Sequence, residues 1–161
     1  MILRIATNAL ALVLAVYALL GVYVRPEVDD LCNLAAVIEQ GVWGATVQAY
    51  TGWTGRILYS TLVHLIAATQ PWSSQLMPAL LIGVSITALR YAAAPFTRAP
   101  LLAALALTYA LILGPNLWQV FYLPSAVLNY LPPLLAAAVL ASYLYRRFSA
   151  SSSVVSPRAS R

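Results

Sequence analysis

The sequence predicts an all-α integral membrane protein of about four transmembrane helices, with interfacial helices in its first outer loop. Three observations lead there. Of the 161 residues, 62% are hydrophobic and only 8% are charged, with a mean hydropathy of +0.83, whereas a water-soluble domain is about 45–50% apolar and about 25% charged. Uncharged apolar stretches recur along the chain, several of them approaching the ~20 residues needed to cross about 30 Å of hydrocarbon. The cations, all Arg, fall mainly where a four-span topology puts them on one side. Such a composition excludes a disordered chain, a nucleic-acid-binding domain and a secreted disulfide scaffold. The net charge of +5 reports orientation before any anionic partner. Cys32 is the single cysteine, so no internal disulfide exists.

The expected spans are about residues 5–24, 75–94, 100–115 and 126–145. The first carries no charge, and no small-x-small cleavage site precedes Tyr23-Val24-Arg25-Pro26, so it reads as a retained helix rather than a signal peptide. Residues 57–69 form a shorter apolar stretch of a length that is more often interfacial or re-entrant. If that stretch spanned, Arg4 inside would leave Arg146, Arg147, Arg158 and Arg161 outside, against the positive-inside tendency. With it in the outer interface, Arg4, Arg90, Arg98 and the C-terminal Arg cluster are all cytoplasmic, as are both termini. The membrane domain is then 1–147, with residues 25–74 as an outer loop, and the Ser- and Arg-rich segment 148–161 reads as a disordered cytoplasmic tail. Ala103, Ala104, Ala106 and the run 136–138 suit close helix packing in lipid.

In the first outer loop, Pro26 ends the first helix and Asp29 and Asp30 follow it. Leu31, Leu34, Ala35, Ile38 and Val42 recur at helical spacing, which leaves Asp30, Asn33, Val37, Gln40 and Gly41 on another face. A helix lying along the membrane surface is expected. The acidic pair has two readings: helix caps, or a general base or hard oxygen ligands for a divalent cation, the one cofactor the pair suggests. Tyr50 and Trp53 fit an interfacial aromatic belt or a ligand site. Arg56 stands outside, against the orientation bias, where its planar fork could take a phosphate or pair with Asp29 or Asp30. His64 reads as a hydrogen-bonded packing residue, and Cys32 as a small buried one. In the second outer loop, Asn129 and Tyr130 fall just inside the next helix, where they suit an interhelical hydrogen bond or a hydroxyl-bearing substrate.

Asp29-Asp30 after the first helix, Tyr50-x-x-Trp53-x-Gly55-Arg56 some twenty residues on, and Phe121-Tyr122 followed by Ser125-Ala126 and Asn129-Tyr130 together resemble the N-terminal part of bacterial membrane glycosyltransferases of the GT-C type. The resemblance covers roughly residues 1–147 and is carried by short motifs. It implies that Asp29 or Asp30 acts as a base or metal-associated carboxylate, and that Arg56 holds the phosphate of a polyprenyl-phosphate-linked sugar at the outer face of the inner membrane. It also implies that Tyr50, Trp53, Tyr122, Asn129 and Tyr130 line the substrate. Two features differ from that family: it normally has eight or more spans, against about four here, and residues 115–130 contain no Asp or Glu. The expectation is therefore a truncated or minimal enzyme, or one part of an assembly. The rival is a non-catalytic membrane subunit that binds a lipid or a partner membrane protein.

Overall fold

A computed structural model describes residues 2–24, 28–54, 56–113 and 124–154. Within them every regular element is helical. α1 (Ile2–Leu20) ends in a 3-10 turn (Gly21–Tyr23). α2 (Val28–Ala49) leads through a π turn (Tyr50–Thr54) to α3 (Ile57–Ala68), and α4 (Trp72–Ala93), α5 (Pro100–Leu113) and α6 (Pro124–Val154) follow.

α1, α4, α5 and α6 share one core built from Leu14, Met77, Leu81, Ile82, Leu89, Ala104, Leu105, Ile112, Leu131 and Leu135. The close approach of α1 to α4 depends on Gly21, because a Cβ there would lie 2.6 Å from the backbone oxygen of Gln75 and 3.1 Å from Cγ of Pro78. The end of α1 thus meets the beginning of α4, and the two run antiparallel. α5 returns antiparallel to α4 after the short connection 94–99. α6 runs parallel to α4, since Arg146 Nη2 donates to the Tyr91 carbonyl (2.8 Å) and its guanidinium lies 4.4 Å over the Tyr91 ring. The start of α1, the end of α4, the start of α5 and the second half of α6 therefore gather at one end, and α2 and α3 occupy the other.

Two helical stretches, Ile2–Tyr23 and Trp72–Ala93, are long and apolar enough to cross a membrane, whereas Ile57–Ala68 and Pro100–Leu113 are shorter. The expected stretches 5–24, 75–94 and 126–145 overlap α1, α4 and α6, and the described part of 100–115 is α5. α6 is longer than the last of them: it continues through Val154, into the segment expected to be disordered, and residues 155–161 lie outside the described part. Arg146 on Tyr91 and the Tyr145 ring on Phe96 (centroids 4.7 Å apart) tie this distal half to the turn after α4.

Beside its apolar core the bundle buries polar side chains and exposes large apolar ones. Asp30, Thr46, Ser60, His64, Ser74, Ser85, Thr108 and Ser142 are buried, while Leu12, Val16 and Leu19 of α1 and Leu76, Leu80 and Val84 of α4 are exposed, Leu19 to 68%. In water that surface would associate.

Candidate functional site

α2 carries the acidic pair and is two limbs rather than one rod. Gly41, at φ 71° and ψ 169°, breaks it, in a region of backbone space that is essentially reserved for glycine. The break bends the chain around α3, so that both limbs supply residues to that one short helix. Asp30 from the first limb meets Val63, Ile66 and Ala67, and Thr46 from the second meets His64.

The first limb mixes the two expected faces: Leu34 of the apolar set is partly buried and Gln40 of the other set is exposed. Ile38 is 75% exposed and Leu31 is also exposed, whereas Asp30 is only 4% exposed, with Asn33 and Val37 partly buried. Asp30 lines a narrow crevice, too small to hold a water molecule, with Asn33, Val63, Ile66, Ala67 and Gln70. Ser74 Oγ donates to Gln70 Oε1 (2.7 Å), which fixes that amide at the cleft wall. Asp29 is exposed. Adjacent helical residues point about 100° apart, so the two carboxylates face different surroundings instead of converging on one cation. Among the described residues, no three of His, Cys, Asp and Glu group closely enough to hold a metal ion.

On the second limb, the Thr46 hydroxyl donates to the Val42 carbonyl (2.7 Å) and lies 3.0 Å from His64 Nδ1. With its one proton given to the carbonyl, the hydroxyl is the acceptor in the second contact, so His64 carries its proton on Nδ1 and keeps Nε2 as a base. Desolvation by burial lowers the His64 pKa below its ordinary value. The expectation of a hydrogen-bonded packing histidine thus finds a specific partner.

Arg56 is exposed and caps the start of α3, where its carbonyl accepts the Ser60 amide (3.0 Å). It stands about 16 Å along the axis from Ala67, at eleven residues of 1.5 Å each, so Asp30 and Arg56 lie toward opposite ends of α3. Tyr50 is exposed at the start of the π turn. Tyr130 is 65% exposed on α6 rather than turned into the protein. The side chains of Trp53 and Asn129, and all of Tyr122, lie outside the described residues. Cys32 is exposed, not buried: it neighbours Leu31 on the outward side of the first limb. Thr46, Gln70 and Ser74 entered no sequence motif. A polar residue within an apolar helix was the available signal for Thr46 and Ser74, since such groups turn toward protein when lipid surrounds them. Against this geometry, the comparisons with known proteins match no family model, no curated protein and no solved structure.

Proposed function

We propose that this chain is a multi-pass protein of a bacterial inner membrane that binds a polyprenyl-phosphate-linked sugar at the outer face and takes part in glycosyl transfer, alone or as part of an assembly. The single observation that supports it most is Asp30, an acid buried against α3 on a helix whose Leu31 and Ile38 are exposed. An interfacial helix behaves this way when lipid solvates its apolar face. The exposed leucines of α1 and α4 and the buried hydroxyls of the bundle support the membrane setting in the same sense.

In the proposed reaction, an acceptor hydroxyl oxygen forms a bond to the anomeric carbon while the bond from that carbon to the phosphate oxygen breaks. The electron pair leaves on the phosphate and the hydroxyl proton passes to the Asp30 carboxylate; Arg56, toward the opposite end of α3, would have to reach back along that helix to hold the phosphate. The crevice beside Asp30 is too narrow to hold a water molecule, so an acceptor hydroxyl would have to be admitted by a parting of α2 from α3.

Titration of the detergent-purified chain with polyprenyl phosphate, and with neutral polyprenol as control, tests this reading. Arg56→Lys keeps the charge but loses the fork, and should weaken phosphate binding by about 1–3 kcal/mol, the scale of hydrogen bonds to charged groups. Arg56→Gln should weaken it further. Asp30→Asn should abolish transfer, and Asp29→Asn, at an exposed position, should leave most of it. Equal affinity for phosphate and alcohol would sink the phosphate clamp. A second reading, a non-catalytic membrane subunit, is favoured by the open apolar groove along α4 between Ala79, Leu80, Gly83, Val84, Thr87 and Ala88. It predicts that the Arg56 and Asp30 variants behave like the parent.

A further inference from the structure

The end of the bundle opposite α2 and α3 is a built cationic surface. Arg4, near the start of α1, Arg90 in the last turn of α4, Arg98 in the connection to α5 and Arg147 on α6 are all exposed. Every acidic residue of the sequence, Glu27, Asp29, Asp30 and Glu39, precedes residue 40, and Asp29, Asp30 and Glu39 lie on α2, at the other end. No carboxylate from residues 40–161 neutralises this one.

The arginines are also held in place, unlike a flexible basic tail. Arg146 is fixed by the Tyr91 carbonyl at 2.8 Å and by the Tyr91 ring at 4.4 Å, and Phe96 packs on Tyr145 with centroids 4.7 Å apart. Between these two staples the turn is tied by the Ala94 amide to the Arg90 carbonyl (3.1 Å) and the Phe96 amide to the Ala93 carbonyl (2.9 Å). The Ala99 amide bonds Thr97 Oγ1 (3.1 Å). Arg90 adjoins Tyr91, Arg98 follows Phe96 by two residues, and Arg147 adjoins Arg146, so the backbone that carries the three is held while their side chains are exposed, with aromatic rings among them.

We propose that this end binds anionic phospholipid headgroups through Arg90, Arg98 and Arg147. The chemistry favours a phosphodiester, because a guanidinium fork matches phosphate oxygens, and the surrounding Tyr91, Phe96 and Tyr145 are residue types that sit at headgroup depth. The proposal rests on the membrane setting above and is independent of glycosyl transfer.

The full-length chain is reconstituted into nanodiscs of equimolar phosphatidylcholine and phosphatidylglycerol, extracted gently, and the retained lipids are counted by native mass spectrometry. The parent should retain phosphatidylglycerol preferentially, and the preference should shrink at high salt. Each arginine near an anionic surface contributes about fivefold, so Arg90→Gln/Arg98→Gln/Arg147→Gln should lower the preference at least tenfold. The corresponding triple Lys variant, which keeps the charge but loses the fork, should fall between the parent and the triple Gln variant. Equal retention of the two lipids by the parent, or a triple Gln variant as selective as the parent, overturns the proposal. If the Gln variant does not fold, the salt series on the parent decides, and a preference unmoved by salt overturns it. A chain that fails to enter even neutral nanodiscs overturns the membrane setting instead.

Discussion

Thr46 and Thr108 are both fully buried helical threonines, yet removal of their hydroxyls should have opposite consequences. Thr46 satisfies Val42 and His64, so Thr46→Val leaves a buried imidazole donor unpaired and should cost about 1–3 kcal/mol. Thr108 Oγ1 and Ser85 Oγ are buried with no hydrogen-bond partner, although Thr7, Thr61 and Thr87 each bond the carbonyl four residues back. Thr108→Val should therefore be neutral or stabilising. Unfolding by denaturing detergent, followed by circular dichroism, compares the two, and a loss at Thr108 equal to that at Thr46 would contradict this account. His64 adds a pH dependence with a definite sign. Its folded pKa is lowered by burial, so the unfolded chain takes up the proton more readily. The His64 contribution to stability is complete above the ordinary histidine value of about 6.5 and is lost as pH falls from there through the lower folded value. Melting temperatures between neutral and mildly acidic pH should fall more steeply for the parent than for His64→Asn, whose amide can still meet Thr46.

At the scale of elements, three glycines with different surroundings make separable predictions. Gly41 has open space for a Cβ but a backbone at φ 71° and ψ 169°, so Gly41→Ala strains the break in α2 by about 1–3 kcal/mol. It should pull one limb away from α3, which a loosened Thr46–His64 contact would report as a shift of the His64 imidazole resonances in NMR. Gly21→Ala fails for the opposite reason: its backbone is unremarkable, but the new methyl meets the Gln75 carbonyl at 2.6 Å, and the end of α1 must move off α4. Gly83 lies within α4 with nothing near its would-be Cβ, so Gly83→Ala should be harmless or should stabilise the helix by up to about 1 kcal/mol. Equal losses at all three positions would mean that the packing described for α1, α2 and α4 is not what sets their stability.

For the whole molecule, the proposed membrane setting turns on which ends would share a side of a bilayer. In a Cys32→Ser background, Thr69→Cys and Ser149→Cys both place a thiol at an exposed position, at opposite ends of the bundle. A membrane-impermeant maleimide should label Thr69→Cys on intact cells, and Ser149→Cys only after permeabilisation. Failure of Thr69→Cys to label from outside, with Ser149→Cys labelling there, would mean that α3 spans and that the outer loop is misassigned. The described part of α5, 14 residues long, rises only about 21 Å, so this test also bears on a bundle whose helices differ in length.

By itself the sequence determined the helical class and the approximate place of each helix, because 62% apolar composition and the 3.6-residue repeat are local properties. It also marked Asp29 and Asp30 as the start of α2, whereas Pro26, expected to end the first helix, lies outside the described residues. What it could not determine was which face of α2 turns inward. A periodic pattern separates two faces but does not say whether protein or lipid receives the apolar one, so Asp30 inside and Cys32 outside were decided only when α2 bent at Gly41 around α3. The partners of Thr46 and Arg146, which stand 18 and 55 residues away in the chain, are likewise tertiary facts. Contacts between such distant residues depend on how helices stack, and side-chain spacing along one helix carries no information about its neighbour.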